Sequence, residues 1–163
     1  NGGSKQYLIC HQNSKYNINF KKINKILESE KKLKLSEEKT FKNFIKTINQ
    51  SKAKLNKFLK KVNSLGKTVH GYGASTKGNV LLQYYKINNK MIKYVAERNK
   101  NKYGLYTPGT KIKIIPEFLS RFYEPDYYLV LPWHFKKEIL LREKDVRKKG
   151  TKFIFPLPKL NIN

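Results

Sequence analysis

A glycine-rich turn between a strand and a helix constrains the fold of this chain more than any other segment. The turn, Gly71-Tyr72-Gly73-Ala74-Ser75-Thr76-Lys77-Gly78-Asn79, follows a strand-like run at 68–70 and precedes a helical run at 80–85. Glycines let the backbone turn tightly, and the unpaired N–H groups at a helix start attract anions. The spacing fits neither a Walker loop nor G-x-G-x-x-G, because Thr76 stands where the third glycine would be. The turn therefore predicts a nucleotide or sugar-phosphate site without naming the ligand.

Strands and helices alternate through the second half of the chain. Strands are predicted at 68–71, 92–96, 127–131 and 152–155, an edge strand at 111–115, and helices at 77–85, 117–122 and 135–148. The strands are short and apolar on both faces, as in a parallel sheet buried between helices. We therefore predict an α/β fold, a Rossmann-like half with a mostly parallel sheet of about four to five strands.

The first half is rich in lysine and is predicted to be helical apart from a short strand at 6–10. Apolar residues at 23, 26, 27 and 33 indicate a weakly amphipathic helix. A long helix follows, with Ser36 as its N-cap, apolar positions recurring at helical spacing from Phe41 to Val62, and Gly66 as the residue that ends it. That helix either crosses the whole domain or bends near 49–51.

The net charge of +25 suggests nucleic-acid binding at first sight, but arginine accounts for only four of the 36 basic residues. Arginine is the residue that favours base readout and bidentate phosphate contacts. The lysines are spread along the chain, and the abundance of asparagine and isoleucine is typical of an AT-rich genome. We attribute the charge to composition or to an acidic partner domain, and regard nucleic acid as an unlikely partner.

Several other features limit the class of protein. No run of 18 apolar residues exists, so no membrane span is expected. Cys10 is the single cysteine, which excludes an internal disulfide and a thiolate zinc cluster and fits a reducing cytoplasm. The polar start lacks a signal peptide and a methionine, and we expect the chain to be part of a longer protein.

The topology locates a candidate site, because ligands of open α/β sheets bind beyond the carboxyl ends of the strands. Lys77 is expected to contact phosphate, Glu97 a ribose hydroxyl and Arg98 a diphosphate. Trp133 is a candidate for stacking on a base, with a core position as the alternative. His134 is a candidate for bonding a phosphate or sugar hydroxyl, with a helix cap as the alternative. The remaining candidates from the turn and the second strand end are Gly71, Gly73, Ser75, Gly78, Asn79 and Asn99.

Five ordered segments resemble the C-terminal domain of S-adenosylmethionine-dependent sugar C-methyltransferases. They are Gly71-Tyr72-Gly73-Ala74 with Lys77-Gly78-Asn79, Glu97-Arg98-Asn99-Lys100, Tyr106-Thr107-Pro108-Gly109-Thr110, Pro125-Asp126-Tyr127 with Pro132-Trp133-His134-Phe135, and Gly150-Thr151-Lys152-Phe153-Ile154. The opening Asn1-Gly2-Gly3-Ser4 resembles the strand with which that family leaves its methyltransferase core. The resemblance adds Tyr106 to the substrate-binding candidates.

The resemblance implies a three-part enzyme acting on nucleotide-linked ketosugars. Residues 1–18 would be the tail of the methyltransferase core, 19–66 a helical segment and 67–163 the Rossmann-like C-terminal domain. A missing core would bind S-adenosylmethionine, and a missing N-terminal module would bind zinc. This chain would hold the nucleotide-diphosphate sugar, contain no catalytic residue, need no cofactor of its own and contact its upstream domain.

Two other functional classes remain open. The first is a Rossmann-like module that binds NAD or another nucleotide without methyl transfer, although the departure from G-x-G-x-x-G disfavours NAD. The second is a basic nucleic-acid-binding protein, disfavoured by the excess of lysine and the absence of a recognised binding motif. Steep salt dependence of DNA binding would favour that second class.

Overall fold

A computed structural model of the protein describes residues 6–163. The helices are α1 (Phe20–Lys32), α2 (Glu38–Ser64), α3 (Thr76–Tyr85), α4 (Glu117–Phe122), α5 (Lys136–Arg142) and α6 (Lys144–Lys148). The strands are β1 (Val69–Tyr72), β2 (Tyr94–Glu97), β3 (Lys113–Pro116), β4 (Tyr127–Val130), β5 (Lys152–Phe155) and β6 (Asn161–Ile162). Two short 3₁₀ helices lie at Lys100–Lys102 and Trp133–Phe135.

The strands form a six-stranded sheet in the order β3-β2-β1-β4-β5-β6. Every pair from β3 to β5 is parallel, and only β6 runs antiparallel, beside β5. The predicted α/β, Rossmann-like fold with a mostly parallel sheet is therefore confirmed, and β3 is an edge strand as predicted. Strand β6 was not predicted from the sequence, because it has only two residues, both exposed.

The strands are buried because apolar side chains cover both faces of the sheet. One face carries a core cluster of seven buried residues, Tyr72, Ala96, Tyr128, Val130, Ile139, Phe153 and Phe155. Val69, Val95 and Leu129 lie on the same strands and are also buried. Burial on both faces explains why these strands read as continuous apolar runs rather than as alternating patterns.

The C-terminal end of α2 follows the prediction closely. Gly66 has a φ of +72°, a conformation that glycine adopts without strain. The N–H of Lys67 donates to the carbonyl of Val62 at 3.0 Å and that of Gly66 donates to Asn63 at 3.0 Å, which is a Schellman motif. At the other end the helix begins at Glu38, directly after Glu37, so the prediction of Ser36 as the N-cap was wrong.

The predicted helix at 135–148 is in fact two helices that meet at Glu143. Glu143 has φ −96° and ψ 28°, outside the helical range, and ends α5 before α6 begins. Its side chain is only 2% exposed, so the break coincides with the insertion of a carboxylate into the protein interior.

The contacts divide the chain into two units, the first ending at Ile48 and the second comprising Asn49–Asn163. In the first unit α1 has no buried residue, and Phe20, Phe41 and Phe44 are exposed. The strand predicted at 6–10 is wrong, because those residues form no strand and are exposed. The strand-like Asn1–Ser4 lies outside the described residues, and the predicted boundaries at 18/19 and 66/67 stay predictions.

Within the second unit the remaining part of α2 packs through its apolar stripe. Leu55, Leu59 and Val62 are buried. The side-chain amide of Asn56 donates to the carbonyl of Tyr85 at 2.9 Å, which ties α2 to the end of α3. None of the helices in residues 6–163 has the length and apolar character that a membrane span requires.

Candidate functional site

A cavity of about 470 Å³ lies at the carboxyl ends of β1 and β2 and beside the turn that follows β4. This edge is where the strand order reverses, since β2 and β3 extend from one side of β1 and β4 from the other. The lining comes from the end of β1 and the turn after it, the end of β2 and the 3₁₀ helix that follows, the segment after β4, and the helices α4 and α5. It consists of Tyr72, Gly73, Ala74, Ser75, Glu97, Arg98, Lys102, Glu117, Pro132, Phe135, Glu138, Ile139 and Arg142.

The glycine turn is shaped by close approach to the chain that follows β4. Gly73 has a φ of +78°, and a Cβ on it would lie 2.9 Å from the Pro132 ring. A Cβ on Gly78 would lie 2.5 Å from the Cβ of Leu131, so α3 packs directly against that segment. The hydroxyl of Ser75 accepts the N–H of Gly78 at 3.1 Å and caps α3. These glycines are explained by packing within the described structure.

Glu97 holds the glycine turn against the end of β2. Its Oε2 accepts the N–H of Ala74 at 2.8 Å, and its Oε1 accepts the N–H groups of Arg98 and Asn99 at 2.8 and 2.9 Å. Lys102 Nζ lies 3.6 Å from Oε2 and donates to the carbonyl of Ala74 at 2.8 Å. One carboxylate thus accepts three backbone N–H groups, the arrangement in which proteins also bind free anions.

A second carboxylate, that of Glu143, is buried on the other side of the cavity. It accepts the hydroxyl of Tyr72 at 2.7 Å and the Nη2 of Arg121 at 2.7 Å. Arg142 Nε donates to the same oxygen at 3.1 Å. Burial of a carboxylate is costly unless it is paired and hydrogen-bonded, and here two guanidinium groups and a phenol satisfy it.

Glu117 links the two arginines at the cavity surface. Its Oε1 accepts from Arg142 Nη2 at 2.8 Å and its Oε2 accepts from Arg121 Nη2 at 3.1 Å. Arg142 also donates to the hydroxyl of Tyr72 and lies over the ring, with 5.4 Å between its Cζ and the ring centroid. Four elements, β1, α4, α5 and the junction at Glu143, therefore fix the guanidinium of Arg142 at the cavity.

The charges of this cluster shift one another's protonation. Partial burial raises the pKa of Glu117, and the charge of Arg121 opposes the rise. Partial burial disfavours the charged form of Arg121, but its hydrogen bond to Glu143 and the nearby carboxylates outweigh this and raise its pKa. The guanidinium of Arg121 therefore stays charged beside the cavity.

A chain of buried hydroxyls lies beside this cluster. His70 Nδ1 is 2.8 Å from the hydroxyl of Ser120, which is 2.9 Å from that of Tyr128. Burial lowers the pKa of His70 to about 4, and the charge of Lys93 acts in the same direction. His70 is therefore neutral at physiological pH, and it bonds the buried Ser120 hydroxyl rather than lining the cavity.

The structure brings four of the sequence-predicted site residues to the cavity: Gly73, Ser75, Glu97 and Arg98. The other eight do not line it: Gly71, Lys77, Gly78, Asn79, Asn99, Tyr106, Trp133 and His134. Gly71 is buried in β1, where a Cβ would lie 2.9 Å from Val95 Cγ2. Lys77 is exposed in the first turn of α3. Tyr106 is 58% exposed and forms an isolated antiparallel bridge with Lys113.

Trp133 and His134, which follow β4, lie in different surroundings. Trp133 is partly buried against the core cluster, which matches the core alternative. His134 lies inside the 3₁₀ turn before α5 rather than at a cap, and loss of contact with water and the charge of Lys77 lower its pKa. His134 Nδ1 and Asn79 Oδ1 are buried without a hydrogen-bond partner in residues 6–163. Their ligand-binding roles stay predictions.

Nine of the thirteen lining residues were not among the sequence-predicted candidates, nor was the buried Glu143. The nine are Tyr72, Ala74, Lys102, Glu117, Pro132, Phe135, Glu138, Ile139 and Arg142. The signal that was available is the rarity of arginine, because three of the four arginines lie in or beside this site. The partners themselves are distant in sequence, since 71 residues separate Tyr72 from Glu143. Residues 6–163 contain no cluster of three or more His, Cys, Asp or Glu side chains that could hold a metal ion.

Comparison with known proteins bears on the same segments. A family model described as the C-methyltransferase C-terminal domain matches residues 1–158. The C-methyltransferase NovU of Streptomyces niveus is 35% identical over 92 residues, which are 56% of this chain and 22% of that protein. The match thus spans about a fifth of the length of this curated relative.

Proposed function

Because the chain belongs to the family of C-methyltransferase C-terminal domains, we propose that its cavity binds the nucleotide-diphosphate sugar substrate of a sugar C-methyltransferase. The observation that carries the proposal is the cavity at the carboxyl edge of β1 and β2, lined by Arg98, Lys102 and Arg142. Open α/β sheets bind ligands at this edge, and guanidinium groups match the geometry of phosphate oxygens.

The contribution of this domain would be to position the sugar. In the parent reaction a base removes a proton from the carbon next to a ketosugar carbonyl. The enolate carbon then forms a bond to the donor methyl group, and the electrons of the broken carbon–sulfur bond stay on sulfur. Binding the diphosphate at a fixed place aligns the sugar with the donor, and alignment lowers barriers by up to about 10 kcal/mol.

The cofactors belong to other parts of the parent protein. S-Adenosylmethionine would supply the methyl group from a core domain, and zinc would bind to an N-terminal module. We propose that this chain alone binds substrate without methylating it, and that the parent enzyme acts in the cytoplasm. Assaying methyl transfer to the ketosugar by the isolated chain tests the first point, because measurable turnover would contradict it.

Calorimetric titration of the chain with dTDP, UDP, GDP, CDP and NAD, at low and at physiological salt, tests the binding function. Saturable binding of one nucleoside diphosphate that persists at physiological salt supports it and identifies the base. Replacing Lys77 and Arg98 together by alanine should weaken that binding about tenfold or more, because the charged hydrogen bonds of the Arg98 side chain to phosphate are lost. The Arg147→Ala variant is the control, since Arg147 does not line the cavity. Binding of none of the five ligands, or unchanged affinity in the double variant, would contradict the proposal.

We further propose that the first unit contacts the preceding methyltransferase core. Phe41 and Phe44 are 50% and 61% exposed on α2, and exposed apolar clusters of this kind mark interaction surfaces. Replacing both by serine should weaken binding to a separately expressed core domain of the parent enzyme, measured by calorimetry. Val80→Ser is the matched control, because Val80 is 65% exposed on α3. Equal affinity of the double variant and the control would contradict this contact.

A further inference from the structure

We infer that the carboxylate of Glu97 occupies the anion position of the glycine turn, and that the ligand's phosphate is bound instead by the side chains of Arg98 and Arg142. This inference rests on the proposed function for its ligand and on the geometry of the turn for its mechanism. According to this inference, the turn that resembles a phosphate site in the sequence is distinct from the side chains that would bind the phosphate.

Four N–H groups of the turn, those of Gly73, Ala74, Ser75 and Gly78, are used within the chain. Ala74 donates to Glu97, and the other bonds run from Gly73 to the carbonyl of Ala96 at 2.8 Å, from Ser75 to that of Gly73 at 2.8 Å, and from Gly78 to the Ser75 hydroxyl at 3.1 Å. A phosphate that entered the turn would have to displace at least the bond to Glu97. It would also approach a carboxylate of the same charge, which is unfavourable.

The side chain of Glu97 is held by several contacts and is largely shielded from water. It is 13% exposed, and both of its oxygens accept backbone N–H groups from residues on either side of the cavity edge. Lys102 Nζ also donates to the carbonyl of Ala74, next to this carboxylate. The negative charge that the N–H of Ala74 meets is thereby supplied by the protein itself.

The cationic groups that we assign to the phosphate are side chains that line the cavity. The backbone N–H of Arg98 donates to Glu97, and Arg98 lines the cavity. Its guanidinium is therefore the group that Arg98 can offer to a phosphate. Arg142 uses Nε for Glu143 and Nη2 for Glu117 and Tyr72, and Nη1 makes no hydrogen bond within residues 6–163. A guanidinium held on one side by fixed carboxylates is preorganised to bind an oxyanion with the other.

The first test removes the carboxylate of Glu97 by substitution and supplies a free carboxylate, acetate, in solution. Glu97→Ala should lower the melting temperature by about 3 to 8 °C, because three N–H groups lose their acceptor. Acetate should restore part of this loss when compared with chloride at equal ionic strength. The wild type and Glu124→Ala, which replaces an exposed glutamate, should melt alike in the two salts. The inference would be overturned if acetate raised the melting temperature of Glu97→Ala no more than it raised that of Glu124→Ala.

If Glu97→Ala does not fold in chloride, acetate should restore its folding, and failure to fold in either salt would count against the inference. Glu97→Gln is the second variant, since it keeps the size of the side chain and one acceptor oxygen. It should fold and melt below the wild type. A melting temperature of Glu97→Gln equal to that of the wild type would overturn the inference, because the charge would then have no role in the turn.

The second test uses the nucleoside diphosphate that binds most tightly. Arg98→Ala and Arg142→Lys should each weaken it about tenfold or more, while Lys77→Ala and the control Arg147→Ala should leave its affinity unchanged. Weakening by Lys77→Ala with no effect of Arg98→Ala would overturn the inference in favour of binding by the turn. If no diphosphate binds the wild type, the proposed function fails, and the acetate test still decides the place of Glu97 because it needs no nucleotide.

Discussion

The two walls of the cavity each hold a carboxylate away from water, but they satisfy it by different means. On the glycine-turn wall, Glu97 accepts three backbone N–H groups and has one lysine nearby. On the opposite wall, Glu143 accepts from two arginine side chains and a tyrosine hydroxyl. We call the first the turn wall and the second the arginine wall. Backbone donors are fixed by the fold, whereas side-chain donors keep their place only through contacts with other side chains. We therefore expect the turn wall to be rigid and the arginine wall to be more sensitive to substitution.

The largest effect is expected at Glu143. Glu143→Ala removes the counter-charge of Arg121 and Arg142 in a buried place, and should lower the free energy of unfolding by about 3–5 kcal/mol. Urea unfolding of the variant measures this change. Glu138→Ala is the control, because Glu138 is an exposed glutamate of the neighbouring turn of α5. A loss below about 1 kcal/mol, the range of exposed ion pairs, would show that the arginine wall does not depend on this carboxylate.

The next effect is a loss of stability at acid pH that arises from His70, which lies beside the arginine wall. The pKa of His70 is about 4 in the folded chain against 6.5 when exposed, so the unfolded chain takes up the proton first. Stability should be full above about pH 6.5 and fall as the pH drops toward 4, by up to about 3 kcal/mol. Unfolding by urea at a series of pH values measures the slope.

His70→Asn should flatten that slope between pH 6.5 and 4, whereas His11→Asn should leave it unchanged, because His11 is exposed. Equal slopes in the wild type and in His70→Asn would contradict a buried neutral histidine.

The turn wall is tested by its packing. Gly78→Ala would place a Cβ 2.5 Å from that of Leu131, a backbone-proximal atom that has little freedom to move. We expect a loss of about 1–3 kcal/mol in spite of the better helix propensity of alanine. Val80→Ala on the same helix, where the side chain is exposed, is the control for thermal unfolding. A variant as stable as the wild type would mean that α3 and the segment after β4 move apart easily, so that this wall is not rigid.

The smallest effect is expected at Lys102. Lys102→Met keeps the length of the side chain but loses the hydrogen bond to the Ala74 carbonyl, which should lower stability by about 0.5–1.5 kcal/mol. Hydrogen exchange at the Ala74 amide should quicken, because Ala74 is then held by Glu97 without the bond from Lys102 to its carbonyl. Lys100→Met, in the same 3₁₀ helix and exposed, should leave that amide unchanged. Exchange as slow as in the wild type would assign the rigidity of the turn to the backbone bonds only.

Features that depend on neighbours in sequence could be predicted, and those that depend on distant partners could not. Gly66 ends α2 as expected, because a Schellman motif needs only the residues around it. The glycine turn was placed correctly, but the bond between Ala74 and Glu97 joins residues 23 apart. Glu143 breaks a helix that local propensity favours, because Arg121 and Tyr72 stabilise its side chain in the interior. Charged residues drawn inward by long-range partners therefore limit what the sequence alone reveals.

The most direct measurement is an NMR titration that follows the Nε–H signals of the four arginines as the tightest nucleoside diphosphate is added. The predicted result is saturable shifts of Arg98 and Arg142, with Arg147 and the Ala74 amide nearly unchanged. Shifts of the Ala74 and Lys77 amides without those of Arg98 and Arg142 would contradict binding by the arginine side chains. The absence of any saturable shift would contradict a substrate-binding role for the cavity itself.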